Sequence, residues 1–249
     1  MQRDISYWLA ITPFELSEAD QQSLTQPDDE YVPQTWDDLK VAIGTCDSLV
    51  LPNEIMNETR QQLTRILPLD AMDLSLLTRS PSDMQNYLLW RLEMKSSWPD
   101  ISQYVLSHRI GWRSIVDLKA KSNVPFEQAQ DYCIRRNDWP YGLTPDITHM
   151  VVWLKTPIEV DEDGDPTSVS KDRIEKFVDR VFRHRIVPNP AYVDQVKWFK
   201  NRTRWQSVRS LEHIHVIVRA VDEALVEEWT NQTKSDIVAR SWSHTECDK

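Results

Sequence analysis

Glycine is scarce in this chain, with four residues in 249. Where one occurs inside a turn, as at Gly142, it is there for that turn's geometry. Cysteine is scarcer still. Cys46, Cys133 and Cys247 are odd in number and far apart, which excludes a disulfide framework and fits no zinc spacing. No apolar run approaches the roughly 20 residues of a membrane span. The first residues, Met1-Gln2-Arg3-Asp4-Ile5, lack the basic-then-apolar order of a signal peptide. Positive charge is in deficit too: the formal net charge of -10 argues against indiscriminate nucleic-acid binding. Together these absences lead us to expect a soluble, cytoplasmic protein without membrane contact.

What is present argues for a packed domain. A hydrophobic content of 40% with 11 tryptophans supports a sizeable core rather than a disordered chain. Residues 1–34 are polar and acidic around an apolar island, Tyr7-Trp8-Leu9-Ala10-Ile11, and read as an arm laid over the body. Residues 35–232 read as one α+β domain, and residues 233–249 as a polar tail that frays.

Helix signals dominate the first half. Thr35-Trp36-Asp37-Asp38 caps a helix carrying Leu39 and Ile43, with Gly44 as its stop. A further helix is expected over 53–66. Ser80 caps another with Pro81 in the first turn. The spacing of Ile101, Tyr104, Val105 and His108 predicts an inward stripe ending at Gly111, with His108 as a core histidine bonded to a backbone carbonyl. Residues 113–136 continue this character weakly, and Cys133 reads as a small buried side chain. Later, Asp161-Glu162-Asp163-Gly164-Asp165 reads as an exposed acidic turn, because it lacks the spacing of a calcium loop. Ser170 is placed as the cap of an amphipathic helix carrying Ile174, Phe177, Val178, Val181 and Phe182, broken by Pro188 and Pro190.

Two segments carry the candidate chemistry. Asn137 to Gly142 forms a polar-aromatic turn leading into the strand His149-Met150-Val151-Val152-Trp153-Leu154. The second is Glu212-His213-Ile214-His215-Val216-Ile217-Val218. Alternation places His213 and His215 on the same strand face. If the two strands pair, His149, His213 and His215 converge on one cleft, where neutral imidazoles can move protons near neutral pH. Between Asp194 and Glu212, Lys197, Lys200, Arg202, Arg204 and Arg209 are interleaved with Trp198, Phe199 and Trp205. Such a segment suits nucleic-acid phosphates and unstacked bases, or else a solvated surface over core aromatics.

The strand, helix and strand with alternating histidines resemble a histidine-triad domain. Isoleucine at 217 stands where a third histidine would be, so nucleotide hydrolysis is the weaker implication. A more specific resemblance runs from about Trp36 to Trp229. Thr35-Trp36-Asp37-Asp38-Leu39, Arg79-Ser80-Pro81-Ser82-Asp83, Asn137 to Gly142, His149 to Lys155, Trp198-Phe199-Lys200-Asn201 and Ser207 to Val216 resemble, in order, the fungal N-acetylglucosamine-induced protein family. One branch of that family comprises arginine-containing cyclodipeptide synthases.

The resemblance implies an aminoacyltransferase that condenses arginine from arginyl-tRNA with a second aminoacyl-tRNA into a cyclic dipeptide. No cofactor is expected, and two histidines without a nearby third ligand carry no zinc claim. For that reaction His149, His213 and His215 are candidate bases or proton shuttles, and Asn201 and Tyr141 candidate orienting groups. Asp138, Trp139, Trp153, Lys155 and Glu212 are candidate substrate contacts, since a guanidinium needs a carboxylate and a flat aromatic surface. The five cations Lys197, Lys200, Arg202, Arg204 and Arg209 are the candidate tRNA contacts. Two alternatives stand beside this reading: a histidine-triad-like phosphoesterase, and a non-catalytic sugar- or stress-response protein. Oligomeric state and the second amino acid are not legible in the sequence.

Overall fold

A computed structural model describes residues 4–12, 16–43, 73–112, 115–186, 194–202 and 206–241. The helix expected over 53–66, the stop at Gly44, Arg204, Trp205, and the prolines at 188 and 190 lie outside the described residues. Among the described residues no helix is long and apolar enough to cross a membrane.

The architecture is α+β, as expected. Helices α1 (Ile5–Ile11), α2 (Glu18–Thr25), α3 (Trp36–Ile43), α4 (Pro81–Ser97) and α5 (Ile101–Tyr104) come first. They are followed by an antiparallel sheet of β1 (Tyr132–Arg136), β2 (Ile147–Leu154), β3 (Val196–Phe199) and β4 (Glu212–Arg219), in the order β1-β2-β4-β3. Helix α6 (Ser168–Val181) lies between β2 and β3 in the chain, and α7 (Glu223–Thr230) and α8 (Val238–Ser241) follow β4.

Strand alternation divides the core. Met150, Val152, Leu154, Ile214, Val216 and Val218 face α6, where they pack on Ile174, Phe177 and Val178. The intervening residues of β2 and β4 face the amino-terminal helices. There Val151 and Trp153 meet Val105, Ile110, Val208 and Leu211, and Ile217 meets Trp36 and Leu39. The polar turn is tied to both layers, with Trp139 packing among Trp8, Met84, Tyr87 and Trp90.

Local chemistry explains the helix ends. Ser80 Oγ accepts the Asp83 amide at 3.2 Å and shares a 2.8 Å bond with the Asp83 carboxylate, an arrangement worth about 1 kcal/mol. For α6 the cap is Thr167, not Ser170. The Ser170 amide donates to Thr167 Oγ1, so the expected boundary moves three residues earlier.

Two further expectations are corrected. Residues 132–136 are strand, not weak helix: Cys133 pairs with Trp153 and Arg136 with Met150 across the β1–β2 ladder. Sheet pairing overrides local propensity in a segment too short to show its own period. His108 is exposed, and its Nδ1 bonds Ser107 Oγ rather than a backbone carbonyl. From Val105 to Ile110 the winding is π-helical, ending on Gly111 at φ 81°. The wider turn carries His108 off the i+7 stripe.

The segments on either side of the domain are docked where they are described. The Tyr31 hydroxyl and the Gln34 amide both donate to the Gly142 carbonyl, at 2.9 and 2.8 Å. A Cβ at Gly142 would sit 2.1 Å from the Tyr31 hydroxyl oxygen, so this glycine is required by close approach. At the other end the segment after Thr230 does not fray through residue 239. Ile237 is buried, the Ala239 amide donates to the Asp138 carbonyl at 3.0 Å, and Val238 packs beside the tryptophan cluster.

Candidate active site

The strands β2 and β4 pair antiparallel, with Val151 opposite His215, Trp153 opposite His213 and His149 opposite Ile217. His149 is therefore a diagonal neighbour of His215. The three histidines share one sheet face and are each less than a tenth exposed.

Their hydrogen bonds differ. His213 Nδ1 lies 2.8 Å from the Leu211 carbonyl oxygen, which can only accept. The proton of neutral His213 therefore sits on Nδ1, and Nε2 keeps its lone pair. Among the described residues that nitrogen has no hydrogen-bond partner. His149 Nε2 and His215 Nδ1 are 2.9 Å apart, and His215 Nε2 is 3.2 Å from the Asn201 amide nitrogen. The Asn137 amide nitrogen lies 3.2–3.3 Å from both ring nitrogens of His149. Tyr141 stacks on His149, Phe199 on His215, and Trp153 lies against His213.

Burial holds all three imidazoles neutral. It pushes His149 down to about 3, His215 well below the ordinary histidine range, and His213 below it as well. Burial also raises the Tyr141 phenol and the Asp138 carboxyl, the latter against the pull of Arg109.

The His213 and His215 face opens on a cavity of about 130 Å³. Asn201, Tyr141, Trp153, Trp139 and Asp138, all candidates from the sequence, also line it. His149 instead borders a second cavity of about 280 Å³ behind the histidine pair, with Tyr141, Asn137, Thr144 and Lys234. A third recess of about 320 Å³ shares Ile101 and Ser207 with the main cavity and includes Arg91, Asp100 and Arg209.

Several candidate contacts have other work. Asp138 is held by Arg109 in a two-pronged pair, Nε to Oδ2 at 2.8 Å, so its carboxylate is engaged within the protein. Glu212 takes Lys200 Nζ at 2.6 Å and the Ile158 amide at 3.0 Å, and is not in the cavity wall. Lys155 lies over Trp112, away from the cavity. The basic segment is largely neutralised. Lys197 is 1% exposed, with Nζ 3.2 Å from Asp194, and Lys200 is buried against Glu212, so neither presents charge to a phosphate. Arg202 is paired through two nitrogens with Asp165 of the acidic turn. Arg209 alone of the described four is exposed without an ion pair among the described residues, beside the third recess.

Sequence reasoning missed Arg79, Asp20, Tyr87 and Arg109, which complete the cavity wall. Arg79 Nε and Nη2 both donate to the Trp139 carbonyl, its guanidinium lies 4.1 Å from the Tyr87 ring centroid, and Nη1 has no bond among the described residues. The signal was its place directly before the Ser80 cap, which the helix-start reading absorbed. Asp20 comes from the amino-terminal arm. Burial raises its carboxyl, and Thr78 Oγ1 donates to it at 3.2 Å.

The sequence pattern of one protein family, described as a protein of unknown function (DUF3605), matches residues 61–219. The chain belongs to the DUF3605 family. This DUF3605 protein is 29% identical over 172 residues to N-acetylglucosamine-induced protein 1 of Candida albicans, covering 62% of this chain and 66% of the relative, just under two thirds of its length. It is 28% identical over 145 residues to the uncharacterized protein YPL067C of Saccharomyces cerevisiae, covering 57% of this chain and 71% of that one. The DUF3605 chain is also similar to a crystal structure of HTC1, with a TM-score of 0.48 and 23% identity, over 82% of this chain and 95% of the other.

Proposed function

We propose that this DUF3605 protein is an aminoacyltransferase, in the form that the sequence resemblance implies: condensation of arginine from arginyl-tRNA with a second aminoacyl-tRNA to a cyclic dipeptide. The observation that carries the reading is the open Nε2 of His213, a neutral imidazole whose proton is tied to the Leu211 carbonyl. Amide formation needs such a base to take a proton from the attacking amine. The ester carbonyl then gains negative charge, and Arg79 Nη1 is the cationic donor in the cavity wall to receive it. The departing ribose oxygen leaves as a hydroxyl after gaining a proton, so the reaction is proton-neutral.

The main cavity and the adjoining recess share Ile101 and Ser207, so a substrate can reach from one into the other. The adjoining recess with Arg209 is where the phosphates of the acceptor end would lie.

The test is incubation of the purified protein with arginyl-tRNA and a mixture of other charged tRNAs, followed by mass spectrometry. An arginine-containing diketopiperazine is expected. It disappears with ribonuclease and falls about 10²–10⁴-fold in His213→Gln. Absence of product with every charged tRNA overturns the reading. A histidine-triad-like phosphoesterase is the second reading, because the same nitrogen and Arg79 suit attack on phosphorus. Turnover of a nucleotide conjugate without tRNA would establish it.

A further inference from the structure

The His149–His215 pair stands between two cavities. His215 and Asn201 form part of the main cavity wall, and His149 part of the second. The pair is joined at 2.9 Å and clamped on both sides, by Tyr141 over one ring and Phe199 over the other. Such a chain of neutral imidazoles passes a proton without either ring holding a charge at rest. The second cavity reaches solvent at a rim that includes Lys234, whose side chain is half exposed.

The hydrogen-bond contacts allow two paired tautomer states of His149 and His215. Asn137 Oδ1 accepts the Trp139 amide at 3.0 Å, so the Asn137 amide nitrogen must face His149. That donor lies 3.2 Å from Nε2 and 3.3 Å from Nδ1; when Nδ1 accepts it, the His149 proton sits on Nε2. His149 Nε2–H then donates to His215 Nδ1, and the His215 proton sits on Nε2. In that arrangement Asn201 turns its amide oxygen to the proton; with its amide nitrogen towards His215 Nε2, both rings carry their protons in the opposite tautomer.

We propose that His149 and His215 form a proton wire that connects the main cavity to solvent through the second cavity. In the first of these states the transferable proton sits on His215 Nε2. When the main cavity's contents take it, His149 Nε2–H moves to His215 Nδ1, and water in the second cavity supplies a proton to His149 Nδ1. His215 then carries its proton on Nδ1, both rings are neutral in the opposite tautomer, and one proton has crossed. The reverse sequence takes a proton at His215 Nε2 and releases one from His149 Nδ1 to the second cavity. His213 is off this wire, because its Nδ1 proton is committed to Leu211. The wire does not depend on the acyl-transfer reading and is tested without any substrate.

The experiment is proton–nitrogen correlation spectroscopy of the full chain labelled with ¹⁵N-histidine, at neutral pH. The expected spectrum has His149 and His215 protonated at matching nitrogens, both at Nε2 or both at Nδ1, and His213 at Nδ1. Exchange of the His149 and His215 protons with water is expected to be roughly tenfold or more faster than that of His213, although all three rings are buried. Thr144→Trp, which fills the second cavity, slows exchange at His149 and His215 and leaves His213 unchanged. Exchange at His149 and His215 as slow as that of His213, or insensitivity to Thr144→Trp in a folded variant, would overturn the wire.

Discussion

Replacing Lys200 by methionine separates a buried ion pair from a phosphate contact. Lys200 Nζ lies 2.6 Å from Glu212 Oε1, with the two side chains 7% and 18% exposed. The Glu212 carboxylate also takes the Ile158 amide at 3.0 Å and the His213 amide at 3.1 Å, so it pins the start of β4 immediately before the histidines. Lys200→Met leaves that carboxylate with two neutral donors and no cation. Breaking one side of such a pair costs about 3–5 kcal/mol. At a urea slope of about 3 kcal/mol/M, the unfolding midpoint falls by roughly 1–1.7 M. Glu212→Gln in the same background removes the stranded charge and restores most of the loss, because a buried pair replaced as a unit is close to neutral. The assay is urea unfolding of the wild type, both single variants and the double variant, followed by tryptophan fluorescence. A Lys200→Met cost below about 1 kcal/mol, joined to a loss of nucleic-acid binding, would refute the argument and return Lys200 to the substrate surface.

Three other outcomes are expected. Because burial depresses all three histidines and takes His149 to about 3, their contribution to stability is complete above pH 6.5 and is lost as pH falls through the folded values. The unfolding free energy should drop by about 1.4 kcal/mol per pH unit per histidine below pH 6.5, and His149→Gln should flatten the profile measured by urea titration. Gly142→Ala pushes the Tyr31 hydroxyl away and costs about 1–3 kcal/mol, with faster proteolytic cleavage near residue 31 as the readout. Arg209→Ala, by contrast with the buried lysines, leaves unfolding within about 0.5 kcal/mol of wild type. In filter-binding titrations it weakens tRNA binding and lowers the salt slope by about one.

The fold was legible where periodicity and capping agree. Alternation in His213-x-His215-x-Ile217 placed the histidines on one face, and the Ser80-Pro81 start of α4 was readable without any tertiary knowledge. Elements decided by partners were not readable. Strand β1 is five residues whose identity comes from pairing with β2, and His108 left its stripe because the helix widens there. The candidate site followed the same division. Its histidines, Tyr141, Asn201 and the tryptophans were found because they lie on patterned segments. Charged residues were misjudged, since sequence shows that Lys197 and Lys200 are cationic but not that Asp194 and Glu212 lie within reach to neutralise them. Asp20 and Arg79 reach the cavity from an arm and a helix cap, where nothing local marks them.

The strand order has a consequence for the growing chain. β4 sits between β2 and β3, yet among the described strands it is the last to be made, with 57 residues between Leu154 and Glu212. Until it emerges from the ribosome, β2 has an unpaired edge and β3 has no neighbour to join. That edge belongs to an apolar strand, the kind of surface that pairs with another chain when left open. A product truncated before residue 212 would therefore be sticky as well as incomplete, and synthesis of β4 is the step that closes the sheet and ends the hazard.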